Sequence, residues 1–314
     1  MLDGGACPIK FGVPQECESM KNPVASNQDK KAFIFLLPSL AILLFFFIWP
    51  IFLSGYYSLT DMTLSGSRAK NYHFVGFENF KNLFWDPLFR TCFYNTLVFL
   101  VFSAIIGQLV LGFSIALMMK KKKRGFRSLV GMAVLSGWIT PEIIVALCWV
   151  AFLSQKGTLN AILLQAGILK APISWLIAFP MAGIIFANIW HGTAFSMLQF
   201  QAALDDIPST VEEAALMDGA NGFQKLFRIT IPMMKNTIMT DSILITLRTL
   251  GVFGLIYAMT GGGPGTKTTT LAIYMYKQAF SSYQMGYGTC IALVLLSLGI
   301  VLSLCYMKFS KTVL

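Results

Sequence analysis

The stretch EEAALMDGANGFQKLFRITIP, residues 212–232, brings two adjacent acids, a Gly-Ala-Asn-Gly break and two basic residues into a chain that is 56% hydrophobic and only 12% charged. A long apolar run resumes at Ile238. Charges and helix-breaking glycines are costly in hydrocarbon, where each backbone polar group must find its partner within the protein. The chain therefore leaves the bilayer here, and the apolar runs on either side become separate spans.

Within the stretch, local signals spell two short helices. Pro208 precedes Ser209, and Ser209 with Glu212 reads as an S-x-x-E capping box; the first helix then runs to about Asp218, with Gly219 supplying the left-handed C-terminal position. Asn221 with Gln224 reads as a second box, and the second helix is expected to stop before Pro232. Val211, Ala214, Ala215 and Met217 or Asp218 give the first helix a small-residue surface. Phe223, Leu226, Phe227 and Thr230 share one face of the second, with Lys225 and Arg228 pointing elsewhere. Two uses fit this shape: docking in a groove of another protein, or lying amphipathically in the headgroups.

Outward from that insert, the mean hydropathy of +0.67 makes a bilayer the expected solvent. Crossing it takes about 20 helical residues. Runs of that kind occur near 32–54, 96–119, 128–153, 178–203, 238–259 and 287–306, so six spans are expected in an all-α, polytopic membrane protein. Residues 1–31 read as a cytoplasmic segment without a signal peptide, 32–309 as the transmembrane domain, and 310–314 as a cytoplasmic tail. Lys30-Lys31 before the first run and KKKKRGFR, 120–127, after the second set the orientation by the positive-inside rule, with both termini cytoplasmic. On that topology 15 of the 24 Lys and Arg lie inside, 8 outside, and Arg248 alone within a span. The net charge of +10 is thus a topology signal; the basic residues sit at span ends without stacking aromatics between them, which argues against nucleic acid as a partner.

Catalytic chemistry is missing. There are two histidines, His73 and His191, no H-E-x-x-H and no G-x-S-x-G. The six cysteines form no C-x-x-C pair, so neither a metal site nor a disulfide framework is expected. GGGPGTKTTT, 261–270, fails as a phosphate loop because Thr266 separates its glycine from its lysine, and it falls on the outer side. Any ATP must be bound by another chain.

The spacing Glu213-Ala214-Ala215, three residues, Gly219, nine residues, Ile229, one residue, Ile231-Pro232 resembles the EAA loop of ATP-binding-cassette (ABC) importer permeases, with Ile231 in place of the usual leucine. Phe74 to Phe80, Leu83 to Pro87, Asn95-Thr96, Asn188-Ile189-Trp190 with Gly192, and Thr260 to Gly265 with Thr268 to Thr270 resemble, in order, further motifs of the carbohydrate-uptake type. That type includes the larger maltose-transporter permease and the glycerol-3-phosphate-importer permease. Ser136-Gly137 stands where the family commonly has Leu-Pro, and Glu142 and Arg248 are charges outside its pattern. The resemblance implies the type I permease fold, with 208–232 as a cytoplasmic coupling helix that docks on an ATPase through Glu213, Ala214, Ala215, Gly219, Ile229 and Pro232. It implies as partners a second permease subunit, ABC ATPase subunits that carry the ATP and Mg, an extracytoplasmic solute-binding protein and a sugar substrate, in a prokaryotic plasma membrane. The chain itself would hold no cofactor and be no enzyme.

Polar groups inside a span are default site residues. Asn188, His191, Gly192, Phe195 and Gln199 share one face of the fourth span; Ser242, Thr246, Thr249, Phe253 and Tyr257 share one face of the fifth. Aromatic rings with amides and hydroxyls suit a sugar, but the same groups also glue helices together. Trp49, Trp138 and Trp175 read as interface anchors. Arg248 needs a holder: either Glu142 or an anionic group on the substrate, such as a phosphate or a uronate. The second option would make the chain an importer of an anionic solute with the same architecture.

Overall fold

The computed structural model describes residues 35–120 and 122–312. The segment 1–31, with Cys7 and Cys17, and the last two residues of the tail lie outside the described residues. Two compact units divide the chain between Leu53 and Ser54. Of the first, the described part is the beginning of helix α1, Phe35–Ser58. All the elements that carry the candidate site belong to the second.

After α1 come α2 (Glu78–Trp85), α3 (Pro87–Lys120), α4 (Arg124–Ile139), α5 (Glu142–Leu153), α6 (Thr158–Gln165) and α7 (Pro180–Asp205). Then follow α8 (Ser209–Met217), α9 (Gly222–Lys225), α10 (Lys235–Leu250), α11 (Gly254–Thr260), α12 (Leu271–Tyr276) and α13 (Met285–Thr312). The described residues hold no strand beyond one bridge, Thr60 to Phe74. Five segments, Phe35–Ser58, Pro87–Lys120, Glu142–Gln165, Pro180–Asp205 and Met285–Lys308, are long and apolar enough to cross a membrane, and α10 with α11 makes a sixth if that pair, bent by 45°, counts as one.

The third expected span, 128–153, is thus two helices. Thr140 precedes a proline, which disfavours helical ψ, and its ψ is 129°. Pro141 has no N–H with which to continue the ladder. The fifth expected span, 238–259, is likewise cut, at Gly251 to Phe253, between α10 and α11.

In a bilayer, apolar side chains gain little by leaving lipid, so helix pairs are selected by close packing and hydrogen bonds. The α3–α7 pair shows this. A Cβ at Gly107 would collide with Ile189, one at Gly112 would lie 2.7 Å from the Ser196 Cβ, and one at Gly192 would collide with the Gln108 amide. Around that pair, Phe99, Val145, Ile184, Leu255 and Ile256 close the core between α3, α5, α7 and α11. Met119, Met197, Phe200, Leu204 and Met234 close the end nearest the EAA loop.

At the opposite end, motifs far apart in sequence form one structure. The Asn95 amide donates to the Thr266 carbonyl at 2.9 Å and the Thr269 carbonyl at 3.1 Å, and the Thr96 hydroxyl accepts from the Leu271 N–H at 2.9 Å. Asp86 caps α3 by accepting from the Leu88 N–H at 2.8 Å, and its second oxygen accepts from the hydroxyls of Tyr274 and Tyr287. The glycine-rich loop is stitched internally, with the Thr269 hydroxyl on the Gly262 carbonyl at 2.8 Å and that of Thr268 on Gly263 at 2.9 Å. Its polar groups hold α11, α12 and α3 together.

Candidate functional site

The EAA loop forms two helices joined at glycine. Gly219 has φ of +70°; its N–H donates to Leu216 at 3.1 Å and the Ala220 N–H to Ala215 at 3.0 Å, the two bonds of a Schellman C-cap. The second capping box is present in both directions: Gln224 N–H to the Asn221 side chain at 2.8 Å, and Asn221 N–H to the Gln224 side chain at 2.9 Å. The first box does not form. Pro208 occupies the N-cap position of α8, leaving Ser209 inside the helix with no capping bond.

Nor does the second helix end before Pro232. It widens into a π turn over Leu226–Thr230 and continues through Ile231–Met233. A proline ring presses on the carbonyl four residues back, here that of Arg228, and the wider turn makes room. The expected apolar face divides: Thr230 is buried and Leu226 half-buried, while Phe223 and Phe227 are exposed with ring centroids 4.4 Å apart. Ala215 is buried and Ile229 half-buried; Glu213, Ala214, Leu216, Met217, Gly219 and Pro232 are exposed. Met217, at 89% of its full exposure, and Phe223, at 71%, are uncovered apolar side chains on either side of the Gly219 turn.

Glu212, freed from capping, ties this loop to the rest of the chain. One carboxylate oxygen bonds the Lys120 ammonium at the end of α3, and the other lies 2.9 Å from Lys225. The Lys120 hydrogen bond first, then that of Lys225, holds its carboxyl below the ordinary glutamate range, against a smaller opposing effect of burial. Beside it, Arg127 of α4 pairs with Asp205 at the end of α7.

Midway along the helices, Asn188, His191, Gly192, Arg248 and Thr249 line one pocket with Gln108, Glu142 and Val252. Its free volume is about 10 Å³, no more than the space of a single water. The Asn188 amide donates to the Ser103 hydroxyl at 2.9 Å, and its carbonyl accepts from Gln108 at 3.1 Å. His191 places Nε2 at 3.2 Å from the Thr140 carbonyl; a carbonyl only accepts, so that nitrogen carries the proton. Asn188, Gly192 and His191 therefore join helices, and the pocket is their seam.

Thr246, Phe195 and Tyr257 lie outside that pocket. The Thr246 hydroxyl meets Tyr306 of α13 at 3.2 Å. Phe195 packs on Trp138, with centroids 6.0 Å apart. Tyr257, 46% exposed, stacks on Phe253 at 5.1 Å and meets Tyr276 at 5.3 Å, and Phe280 extends the row at 5.3 Å from Tyr276. Arg248 is exposed, with its guanidinium carbon 5.6 Å from the centre of the Trp138 ring. Among the described residues no ion pair within 4.0 Å joins it to Glu142. Trp138, expected as an interface anchor, packs between the side chains of Phe195 and Arg248. It lies three residues before Pro141, in the last turn of α4.

Gln108, Trp138, Tyr276 and Phe280 adjoin the candidate residues and are absent from the sequence-based pathway set. Gln108 had a readable signal, an amide inside the apolar run 96–119. The two aromatics of the α12 region had none.

The sequence profile of the binding-protein-dependent transport system inner membrane component matches residues 108–313. The chain is 31% identical to the sulfoquinovosyl glycerol transport system permease protein SmoG of Agrobacterium fabrum, over 90% of each chain. It is 34% identical to the trehalose/maltose transport system permease protein MalF of Thermococcus litoralis, over 91% of this chain and 95% of that one. Among solved structures, a bacterial ABC transporter involved in the import of the acidic polysaccharide alginate has a chain that superposes with a TM-score of 0.75 at 24% identity, covering 92% of this chain and 98% of that one. At that identity the likeness is one of fold. The chain belongs to the inner membrane components of binding-protein-dependent transport systems, the permease subunits of ABC importers, in which the ATPase is a separate subunit.

Proposed function

We propose that this permease forms half of the translocation pathway for a sugar or oligosaccharide, paired with a second permease, coupled to two ATPase copies that bind ATP and Mg, and supplied by an extracytoplasmic binding protein. The carrying observation is the row Phe253, Tyr257, Tyr276 and Phe280, with Tyr257 and Phe280 about half exposed on a single chain. Such rings take the apolar C–H faces of pyranoses. The relatives named for sulfoquinovosyl glycerol and for trehalose and maltose support the class. Met217, Phe223 and Glu213 are the surface that the ATPase covers, and both termini are cytoplasmic. ATP-driven closure of the ATPases moves residues 208–232 and opens the seam around Asn188, His191, Gly192 and Thr249.

A second reading, an anionic sugar or another anionic solute, is favoured by Arg248, whose exposed guanidinium stacks on Trp138 and has no ion pair among the described residues. Uptake in cells carrying the intact transporter separates the two. Tyr257→Ala should lower uptake of any sugar substrate at least tenfold with normal membrane abundance. Arg248→Gln should lower uptake of an acidic sugar alone. Unchanged uptake in both variants would sink both readings.

A further inference from the structure

At the end of the helices nearest the EAA loop, between α4 and α7, lies a cleft that the transport reading leaves without a role. Lys122, Arg124, Arg127 and Ser128 line one wall, and Leu198 and Gln201 of α7 line the other. Its empty volume is about 920 Å³, open to solvent. One of its cations is already answered: Arg127 is paired with Asp205, and the Gln201 amide, turned with its oxygen toward Arg127, accepts from Nε at 2.9 Å. The other two are not. Among the described residues neither Lys122 nor Arg124 has an ion pair, and the first turn of α4 carries no acid. Helix polarity worsens the balance, because cations are disfavoured at a helix N-terminus.

The cleft is also two-sided in character. Leu198 and Gly131 give it an apolar lining beside the hydroxyl of Ser128, and one turn on from Ser128 the exposed Met132 extends it along α4. A soluble anion would use only the cations. A phosphate that carries acyl chains would use both halves.

We propose that this cleft binds the phosphate of an anionic phospholipid, with Lys122 and Arg124 on the phosphate oxygens, Ser128 donating to the headgroup, and the chains leaving over Leu198 and Met132. Charge alone would suffice for the positive-inside rule, which requires neither a cleft nor a polar partner on α7. A basic pocket between helices at the membrane face is the form that anionic-headgroup sites take. Bound there, the lipid bridges α4 and α7 next to the Lys120–Glu212 contact, so that membrane composition acts on the loop that meets the ATPase.

The test uses the full chain in neutral detergent, titrated with short-chain phosphatidylglycerol, phosphatidylcholine or inorganic phosphate while thermal unfolding is followed. Phosphatidylglycerol should stabilise the wild type, and phosphatidylcholine and phosphate should not. Lys122→Gln with Arg124→Gln should weaken the phosphatidylglycerol response at least tenfold. Leu198→Glu, which places a carboxylate on the cleft floor and leaves the basic loop and its topology signal intact, should do the same. Equal stabilisation by inorganic phosphate would overturn the lipid assignment. An undiminished phosphatidylglycerol response in either variant would overturn the site.

Discussion

Replacing Glu212 by alanine tests how the EAA loop is held. In the wild type a single carboxylate spans two lysines, one on α3 and one on α9, and the three side chains are only about a fifth exposed (20%, 23% and 19% for Lys120, Glu212 and Lys225). Hydrogen bonds to charged groups are worth about 1.5–3 kcal/mol each when well buried. Exposed pairs fall to under about 1 kcal/mol. For this partly covered pair of contacts about 2 kcal/mol in total is reasonable, and Glu212→Ala adds a small penalty by leaving two ammonium groups facing each other. The loss is local, because α8 and α9 remain attached to the chain through α7 and α10. It should therefore appear as opening of the loop and leave global unfolding unchanged. A change of 2 kcal/mol is a factor of about 30 in an equilibrium constant.

Hydrogen exchange of the assembled transporter in nanodiscs measures this directly. Amides of residues 209–230 should exchange about 10–30-fold faster in Glu212→Ala, with those of α7 and α13 unchanged. Stimulation of ATP hydrolysis by loaded binding protein should fall in parallel. The reversed pair, Glu212→Lys with Lys120→Glu, should restore part of the protection by recreating one contact. Since the carboxyl is held below its ordinary range, the contact is complete above that range and fails only as pH falls through the lowered value. Protection should accordingly be flat between about pH 6 and pH 8. Wild-type exchange rates in Glu212→Ala would refute the assignment, and a loss of protection on raising the pH across that window would refute its sign.

Gly219→Val should uncouple transport from ATP hydrolysis, because a left-handed conformation costs about 1–2 kcal/mol for an ordinary residue and more for a β-branched one; Gly219→Asn should retain most activity, and equal behaviour of the two variants would remove the backbone argument. Asn95→Ala removes the donor to the Thr269 carbonyl and leaves the Thr266 carbonyl with the Thr269 N–H alone, at a cost of about 1–3 kcal/mol, so the melting temperature of the purified chain should drop by several degrees. An unchanged melting temperature there would mean that the glycine-rich loop is held by other contacts. Asp241 is fully buried, and neither carboxylate oxygen has a hydrogen-bond partner among the described residues. Asp241→Asn should change stability by less than about 1 kcal/mol, and a larger loss would reveal a charged partner supplied by the assembled transporter.

What the sequence disclosed and what it concealed divide along a physical line. The Asn221 box and the Gly219 cap were legible because each is decided within five residues by backbone geometry. The Ser209 box used the same grammar and failed, since Pro208 took the cap position and Glu212 had better partners, one of them 92 residues away. Pro141 announced a helix break, but a hydropathy window averages across a proline and reports one span where there are two helices. The hidden relations are polar pairs between helices: Asn95 with Thr269, Asn188 with Ser103, Gln108 with the Asn188 carbonyl. Apolar periodicity says which face turns inward; it does not say which of several polar residues on the next helix will be met, because each choice hydrogen-bonds equally well in isolation. Arg248 obeys a different rule from the one its place in an apolar run suggests. A buried charge does need a counter-charge, and Glu142 offered one in the same chain, but Arg248 is exposed beside an indole ring. A cation over an aromatic face gains about 0.5–2 kcal/mol while keeping its hydrogen-bond donors available. An ion pair with Glu142 would have occupied those donors.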